Sequence, residues 1–400
     1  MADRNPLVVR MRPFGTTVFA EMTALASRTG AVNLGQGFPD TDGPPAMIEA
    51  AVAAIRSGVN QYPPGLGMPA LLAAVSEHRL SRYGLAYDPA SEVLVTVGAT
   101  EAIAAALLAL CETGDEVIVW EPYYDSYAAA IAMAGAVRRP VTLRPSDVDG
   151  RFSFDPADLR AAVSPRTRVV LVNSPHNPTG TVFTPAELTE IAAVCCEHDL
   201  IAVTDEVYEH LTFDGVTHAA LATFGEMRER TVSISSAGKS FSVTGWKIGW
   251  ICAPAELIAA VKTVKQFLTF TANGALQLAV AHALTHDLRW VDDLRASLQS
   301  KRDRLSAGLV AAGFGVHPSA GTYFIQADVR PLGLTDGTSL AWSLPERIGV
   351  AAIPTSVFYD DAEAGMPFVR FAFCKRDDVL DEAVRRLAGL AGLSEPDAAP

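Results

Sequence analysis

Basic residues are scarce in this chain. Its 400 residues hold 32 Lys and Arg against 45 Asp and Glu, a formal charge of −13. No Lys/Arg stripe breaks that background, which argues against a nucleic-acid partner. Cysteine is also sparse: the five present (Cys111, Cys195, Cys196, Cys252, Cys374) form no C-x-x-C pair. Cys195 and Cys196 sit in an apolar helical pattern, where a free thiol acts as a small hydrophobe. The eight histidines are scattered without ligand spacing, so no metal site is expected. No apolar run is long enough to span a bilayer. Met1–Pro13 is polar and lacks the apolar core of a signal peptide. Together these absences imply a reduced, soluble, cytoplasmic protein with no membrane partner.

What is present is an ordinary globular composition, 49% apolar and 19% charged. The length suggests about two to three domains. Val93–Val97, Val117–Trp120, Arg168–Val172, Leu200–Val203, Thr231–Ile234 and Ile248–Cys252 read as strands. Helical patterns separate several of them, such as Glu101–Leu110. Thr184-Pro185-Ala186-Glu187 is a capping box with proline at the first helical position, opening a helix to about His198. Strands buried on both faces and separated by helices imply an α/β fold with a mainly parallel sheet in a three-layer α/β/α arrangement. The pattern changes before residue 45 and after 290. We expect an N-terminal arm (1–45) that joins a smaller C-terminal α+β domain (291–392), a large domain (46–290) between them, and a tail (393–400). A long charged helix around Arg295–Leu309 opens the C-terminal part.

The chemistry-bearing residues fall at predicted strand ends, where α/β sheets place ligands. Lys239 lies in Ser235-Ser236-Ala237-Gly238-Lys239-Ser240, flanked by small residues that let a flat ligand approach. Lys247 follows eight residues later, before an apolar strand. A lone lysine is usually a solvated surface group, so the rest of the chain has to supply partners. Asp205, in Thr204-Asp205-Glu206-Val207-Tyr208, follows a strand; a helix-capping role is the plain alternative. Asn173-Ser174-Pro175-His176-Asn177-Pro178-Thr179-Gly180 follows another, and alone is a turn signal. Gly98-Ala99-Thr100 joins a strand to a helix N-terminus, where free N–H groups suit a phosphate. Arg370 sits inside an apolar strand pattern, where a cation is costly unless an anion meets it.

In this order the motifs resemble the pyridoxal-phosphate (PLP) site of fold type I, class I/II aminotransferases. The resemblance covers roughly residues 14–390. It implies that Lys239 bonds covalently to pyridoxal 5′-phosphate and that Asp205 faces the pyridine nitrogen. Asn177 and Tyr208 would meet the ring hydroxyl, and Tyr124 would stack on the ring. Gly98, Ala99, Thr100, Ser236 and Lys247 would hold the phosphate. The resemblance gives Arg370 the substrate α-carboxylate, with Gly37 and Asn177 nearby; Tyr123 and Tyr127 read more plainly as core-edge aromatics. It further implies a homodimer with shared sites, Tyr62 reaching the neighbour's phosphate and Phe270 lying near the other active site. Phe14, Phe19, Tyr124 and Phe270 are expected to line the substrate pocket. The wording around the motifs is most similar to the branch of kynurenine/glutamine–phenylpyruvate and methionine aminotransferases, and within it to actinobacterial N-succinyldiaminopimelate aminotransferases. The implied reaction moves an amino group from an amino acid to a 2-oxo acid such as 2-oxoglutarate. A β-eliminating lyase acting on Cys-conjugates would use the same site. A transcription regulator is disfavoured, because residues 1–45 are too short and too weakly basic for a helix-turn-helix domain.

Overall fold

A computed structural model describes residues 6–390. The expected tail at 393–400 lies outside the described residues. Seven strands form the main sheet: β1 (Val93–Val97), β2 (Glu116–Glu121), β3 (Val137–Thr142), β4 (Thr167–Asn173), β5 (Ile201–Asp205), β6 (Thr231–Ser236) and β7 (Ile248–Cys252). Their spatial order is β1-β7-β6-β5-β4-β2-β3. β7 runs antiparallel to both neighbours, while the β6-β5-β4-β2-β3 pairs are parallel.

Alternation along β1 shows why the sheet is covered on both faces. Val93 and Val95 pack with the helices Pro69–Tyr83 and Gly274–His286, whereas Leu94 packs with the helix Gly98–Leu110 on the other face. The continuous run Val169–Val172 in β4 is buried throughout. Each such side chain contributes about 1.5–3 kcal/mol relative to exposure. The capping box at Thr184 is formed, and its helix spans Pro185–Glu197.

A second core assembles around a four-stranded sheet ordered Gly315–Val316, Phe324–Asp328, Phe368–Ala372, Ile353–Pro354. Val32–Asn33 pairs in parallel with Val350–Ala351, tying the N-terminal arm to this unit. The charged helix runs Leu288–Ala311. Residues Val207, Tyr208, Leu211 and Phe213, from within the central stretch, also pack into this second core. Among the described residues no helix is long and apolar enough to cross a membrane.

One strand boundary differs usefully from the sequence reading. β5 extends through Asp205 because the parallel pairing continues to Asn173↔Asp205. Hydrophobicity stops at Val203, so the pattern alone truncates the strand. Asp205 is thus the last residue of a fully paired strand, held far more rigidly than a loop residue.

Candidate active site

Five strand ends converge on one cavity of about 370 Å³. Gly98–Thr100 follow β1, Tyr124 and Tyr127 follow β2, Asn177 follows β4, Asp205 and Tyr208 end or follow β5, and Ser236 and Lys239 end or follow β6. Lys247 arrives by a different route. β7 is antiparallel to β6, with Gly249 opposite Ser236, so the start of β7 meets the same sheet edge as the end of β6. The eight-residue spacing therefore brings both lysines to one cavity.

At the β1 end, Gly98 adopts φ 74°, and a Cβ there would come within 3.1 Å of Lys247 Nζ. Glycine lets the lysine lie against the start of the 13-residue helix Gly98–Leu110. The Glu101 carboxylate accepts the Val97 amide at 2.6 Å, fixing this turn. Helix N–H groups, Ser236 and the Lys247 cation together form an anion-binding corner.

Asp205 is buried, and its Oδ2 accepts the Tyr127 hydroxyl at 2.6 Å. Burial raises its pKa, and the Tyr127 hydrogen bond opposes that rise. A carboxylate in this setting calls for a positive partner, which a protonated pyridine nitrogen supplies. Asn173 orders the neighbouring loop: its Nδ2 donates to Asp205 O at 2.9 Å and its Oδ1 accepts the Asn177 amide at 2.8 Å.

Lys239 touches the cavity, with Nζ 5.8 and 5.7 Å from the ring centres of Tyr208 and Tyr323. Close-packed protein around it disfavours the ammonium, pulling the amine down to about 8. A lysine so depressed has an appreciable neutral fraction near neutrality, as a nucleophile and proton carrier requires. Tyr124 is pushed up to about 12 by burial and stays a neutral phenol.

Arg370 is 1% exposed, in the central strand of the smaller sheet. Its Nη1 donates to Asn177 Oδ1 at 2.9 Å and its Nη2 to Gly35 O at 3.0 Å, while Nε is buried without a partner. Its guanidinium carbon lies 4.0 Å from the centre of the Phe324 ring. Burial lowers its pKa to about 10. A buried cation that meets neutral oxygens and aromatic faces is poised for an incoming carboxylate. The neighbouring Gly37 loop is fastened by Tyr323, whose hydroxyl donates to Gly37 O at 2.6 Å. A Cβ on Gly37 would sit 2.6 Å from the Phe324 ring, so glycine is required there.

Twelve of the fourteen sequence-predicted site residues line this cavity: Gly37, Gly98, Ala99, Thr100, Tyr124, Asn177, Asp205, Tyr208, Ser236, Lys239, Lys247 and Arg370. Tyr62 and Phe270 do not. They pair edge to face, 5.1 Å between ring centres, on an exposed surface of the same chain. Phe14 packs instead beside the core under the helix Gly98–Leu110. The reading of Tyr127 as a core-edge aromatic needs correction, because its hydroxyl binds Asp205. No spacing signal exposes that role, since an aromatic on a buried helix face is normally packing alone. Tyr123 does lie at the edge, bonded to Asp360. Gln36, Phe38, Phe324 and Thr244 also line the cavity without having been singled out. Histidine spacing was uninformative too: His78, from the helix Pro69–Tyr83, meets the adjacent Glu209 and His210 in the interior.

The donor set fits pyridoxal 5′-phosphate: an anion corner, a depressed lysine, a buried carboxylate and an aromatic beside it. The family model for aminotransferase classes I and II matches residues 29–387. A probable N-succinyldiaminopimelate aminotransferase of Mycobacterium tuberculosis is 57% identical, the alignment covering 96% of this chain and 98% of that protein. A solved structure of N-succinyldiaminopimelate aminotransferase from Mycobacterium tuberculosis superposes with a TM-score of 0.94 over 96% of this chain and 100% of that one. The methionine aminotransferase of Escherichia coli is 39% identical over 96% of this chain and 99% of its own length. With family, fold and cavity in agreement, the chain belongs to the class I and II aminotransferases.

Proposed function

We propose that this aminotransferase takes N-succinyl-LL-2,6-diaminopimelate as amino donor and 2-oxoglutarate as acceptor. The observation that carries the reading is 57% identity across 96% of the chain to the Mycobacterium tuberculosis relative of that name. A second reading, with methionine, glutamine or kynurenine as donor, draws on the cavity lining. Phe19, Phe38, Tyr124 and Phe324 are aromatic, and among the described residues its cations are Lys239, Lys247 and Arg370. Once Lys247 meets phosphate and Arg370 the α-carboxylate, no second lining cation is left for a distal carboxylate. Side-by-side kcat/KM values with 2-oxoglutarate test the choice. The succinylated donor is expected to lead by about tenfold or more, a difference of about 1.4 kcal/mol in transition-state binding. A lead for any of the other three overturns the donor and leaves the aminotransferase chemistry standing.

When bound, pyridoxal phosphate supplies an aldehyde that links to amines and a ring that accepts the electron pair left by a departing Cα proton. Asp205 would meet the pyridine nitrogen and favour a proton there, while the Tyr127 hydroxyl orients the carboxylate and favours its anion. Asn177 spends its Oδ1 on Arg370, which leaves its Nδ2–H as a donor that would meet the ring hydroxyl oxygen, as Tyr208 would. Arg370 clamps the substrate carboxylate and so sets which Cα bond faces Lys239. Lys239 Nζ, lining the cavity that Arg370 also lines, would act as the base for the substrate Cα proton and carry that proton as its ammonium. The same groups would serve the oxo acid in the reverse direction, giving ping-pong kinetics.

A homodimer belongs to this reading. Tyr62 (80% exposed), Phe267 (83%) and Phe270 (52%) present aromatic surface away from the chain's own cavity, and such a patch suits a subunit contact. Sedimentation should give a dimer at working concentration. Tyr62→Phe should weaken cofactor retention by about 1–3 kcal/mol, one charge-assisted hydrogen bond. A fully active monomer would reject the shared site. A cytoplasmic setting also fits, since all five cysteines are unpaired. We further propose unit boundaries near residues 45 and 290, where the sequence pattern changes.

A further inference from the structure

Six ionisable side chains, His78, Arg79, Glu206, Glu209, His210 and His218, are buried together and line no part of the cavity. Arg79 Nη1 donates to Glu206 Oε2 at 2.8 Å and lies 3.6 Å from Glu209 Oε2. Thr204 donates to Glu206 Oε1 at 2.8 Å, and His218 Nε2 is 3.5 Å from Glu206 Oε2. Glu209 accepts from Tyr83 and from Ser235, each at 2.6 Å. His78 and His210 meet Nε2 to Nε2 at 2.9 Å, and His210 Nδ1 meets Ser240 Oγ at 2.8 Å.

Of the contacts that leave the cluster, those to Ser235 and Ser240 reach the segment that carries Lys239. Successive strand side chains alternate in direction. Ser236 therefore faces the cavity, while Ser235 faces Glu209. Ser240 ends the helix Ala237–Ser240, a single turn of four residues. One helical turn has too few internal bonds to hold its own geometry, so contacts from outside must fix it. Ser235 and Ser240 bracket Ser236 and Lys239 on either side.

We propose that Glu209 and His210 are positioning residues, clamping the Ser236–Lys239 turn at both ends through Ser235 and Ser240 and so holding Lys239 Nζ at the reacting atoms. This rests on Lys239 being the cofactor-bonded lysine. The histidine proton order follows from satisfaction of donors. With His78 Nε2–H donating to His210 and His210 Nδ1–H donating to Ser240, the unpartnered His78 Nδ1 carries only a lone pair. The opposite order would bury an unpaired N–H, the costlier orphan. Burial keeps both rings neutral, with His210 lowered to about 3. Glu209 is held below the usual carboxylate range: burial opposes the anion, but the Arg79 cation and the Ser235 hydrogen bond favour it. The histidine pair with Glu209 could be mistaken for a metal site. The 2.9 Å N···N contact is a hydrogen bond, however, and both Glu209 oxygens already accept hydrogen bonds.

The test uses Ser235→Ala, Ser240→Ala and the double variant as holoenzymes, with Glu209→Gln and Glu209→Ala as a conservative pair. Each single serine variant should lower kcat about tenfold and the double about 100-fold, with KM within about threefold, as misplacement of a reacting group does. In the cofactor-free proteins, amide exchange at residues 236–241 should accelerate selectively, with Tm within a few degrees of wild type. Glu209→Gln, which keeps an oxygen for Ser235, should retain most of the rate that Glu209→Ala loses. Wild-type kcat and exchange in the double variant would overturn the clamp. So would a kcat loss tracked by uniformly faster exchange across the chain, or one equivalent of zinc in the purified protein. Full activity of Lys239→Ala would instead remove the reading on which the clamp rests.

Discussion

Lys239→Ala is expected to lose at least about 10⁴-fold in kcat, because one change removes both the nucleophile and the proton carrier. The fold should survive, since Lys239 faces the cavity and makes no ion pair that the structure needs. The measurements are single-turnover kinetics and the visible absorbance of lysine-bound cofactor, which should vanish in the variant and be trapped by borohydride in wild type. Retention of full activity would sink the site assignment. The depressed amine adds a pH signature. Burial lowers the Lys239 pKa from 10.5 to about 8, so the neutral, nucleophilic form grows as pH rises toward 8. Capture of cofactor by the cofactor-free protein should accelerate about tenfold per pH unit from 6 to 7 and level off above 8. The sign for stability agrees. The folded pKa lies below the unfolded one, so the cost of the buried ammonium is fully present below pH 8 and is relieved as pH climbs from there to 10.5.

Asp205→Asn should cost about 10³-fold in kcat while leaving substrate KM within a few fold. The amide is nearly isosteric, so the loss reports the missing charge. Without a carboxylate the pyridine nitrogen is not kept protonated, and the ring is a weaker electron sink at the moment the Cα proton leaves. Tyr127→Phe separates charge from its support. It deletes a 2.6 Å hydrogen bond to Asp205 Oδ2 and keeps the ring packing. A loss of about 10- to 100-fold is expected, consistent with about 1.5–3 kcal/mol for a hydrogen bond to a charged group. If Asp205→Asn retains near-wild-type rate, the residue serves the fold of β5 and not the cofactor. If Tyr127→Phe matches Asp205→Asn, Tyr127 contacts the reacting groups itself.

Much of this protein is legible in one dimension. Continuous apolar runs such as Val169–Val172 and the capping box at Thr184 define their elements locally, because burial pattern and backbone satisfaction act over a few residues. Ten of the twelve cavity-lining residues that the sequence marks sit at or just beyond the ends of main-sheet strands, and a doubly covered sheet brings those ends to one edge. Arg370, inside a strand of the smaller sheet, and Gly37, in the N-terminal arm, reach the cavity from the second unit. Family wording adds their roles, which spacing by itself leaves open between ligand, cap and turn.

Other features depend on contacts between distant parts of the chain. The reach of β5 to Asp205 is decided by pairing with Asn173, not by hydrophobicity. Lys239 and Lys247 meet because β7 runs antiparallel, a choice of strand direction that no local pattern encodes. Tyr127 becomes the partner of Asp205 because a helix after β2 lies across the end of β5. Tyr62 and Phe270 pair with each other and do not line the cavity of their own chain. The cluster of Arg79, Glu206, Glu209 and three histidines joins residues up to 140 positions apart. The sequence by itself determined the α/β class, the family and the chemical inventory of the site, because short-range periodicity and ordered motifs carry that information. The tertiary structure alone decided which charges are buried together and what supports each reacting group. Desolvation and hydrogen-bond geometry arise only when distant segments pack.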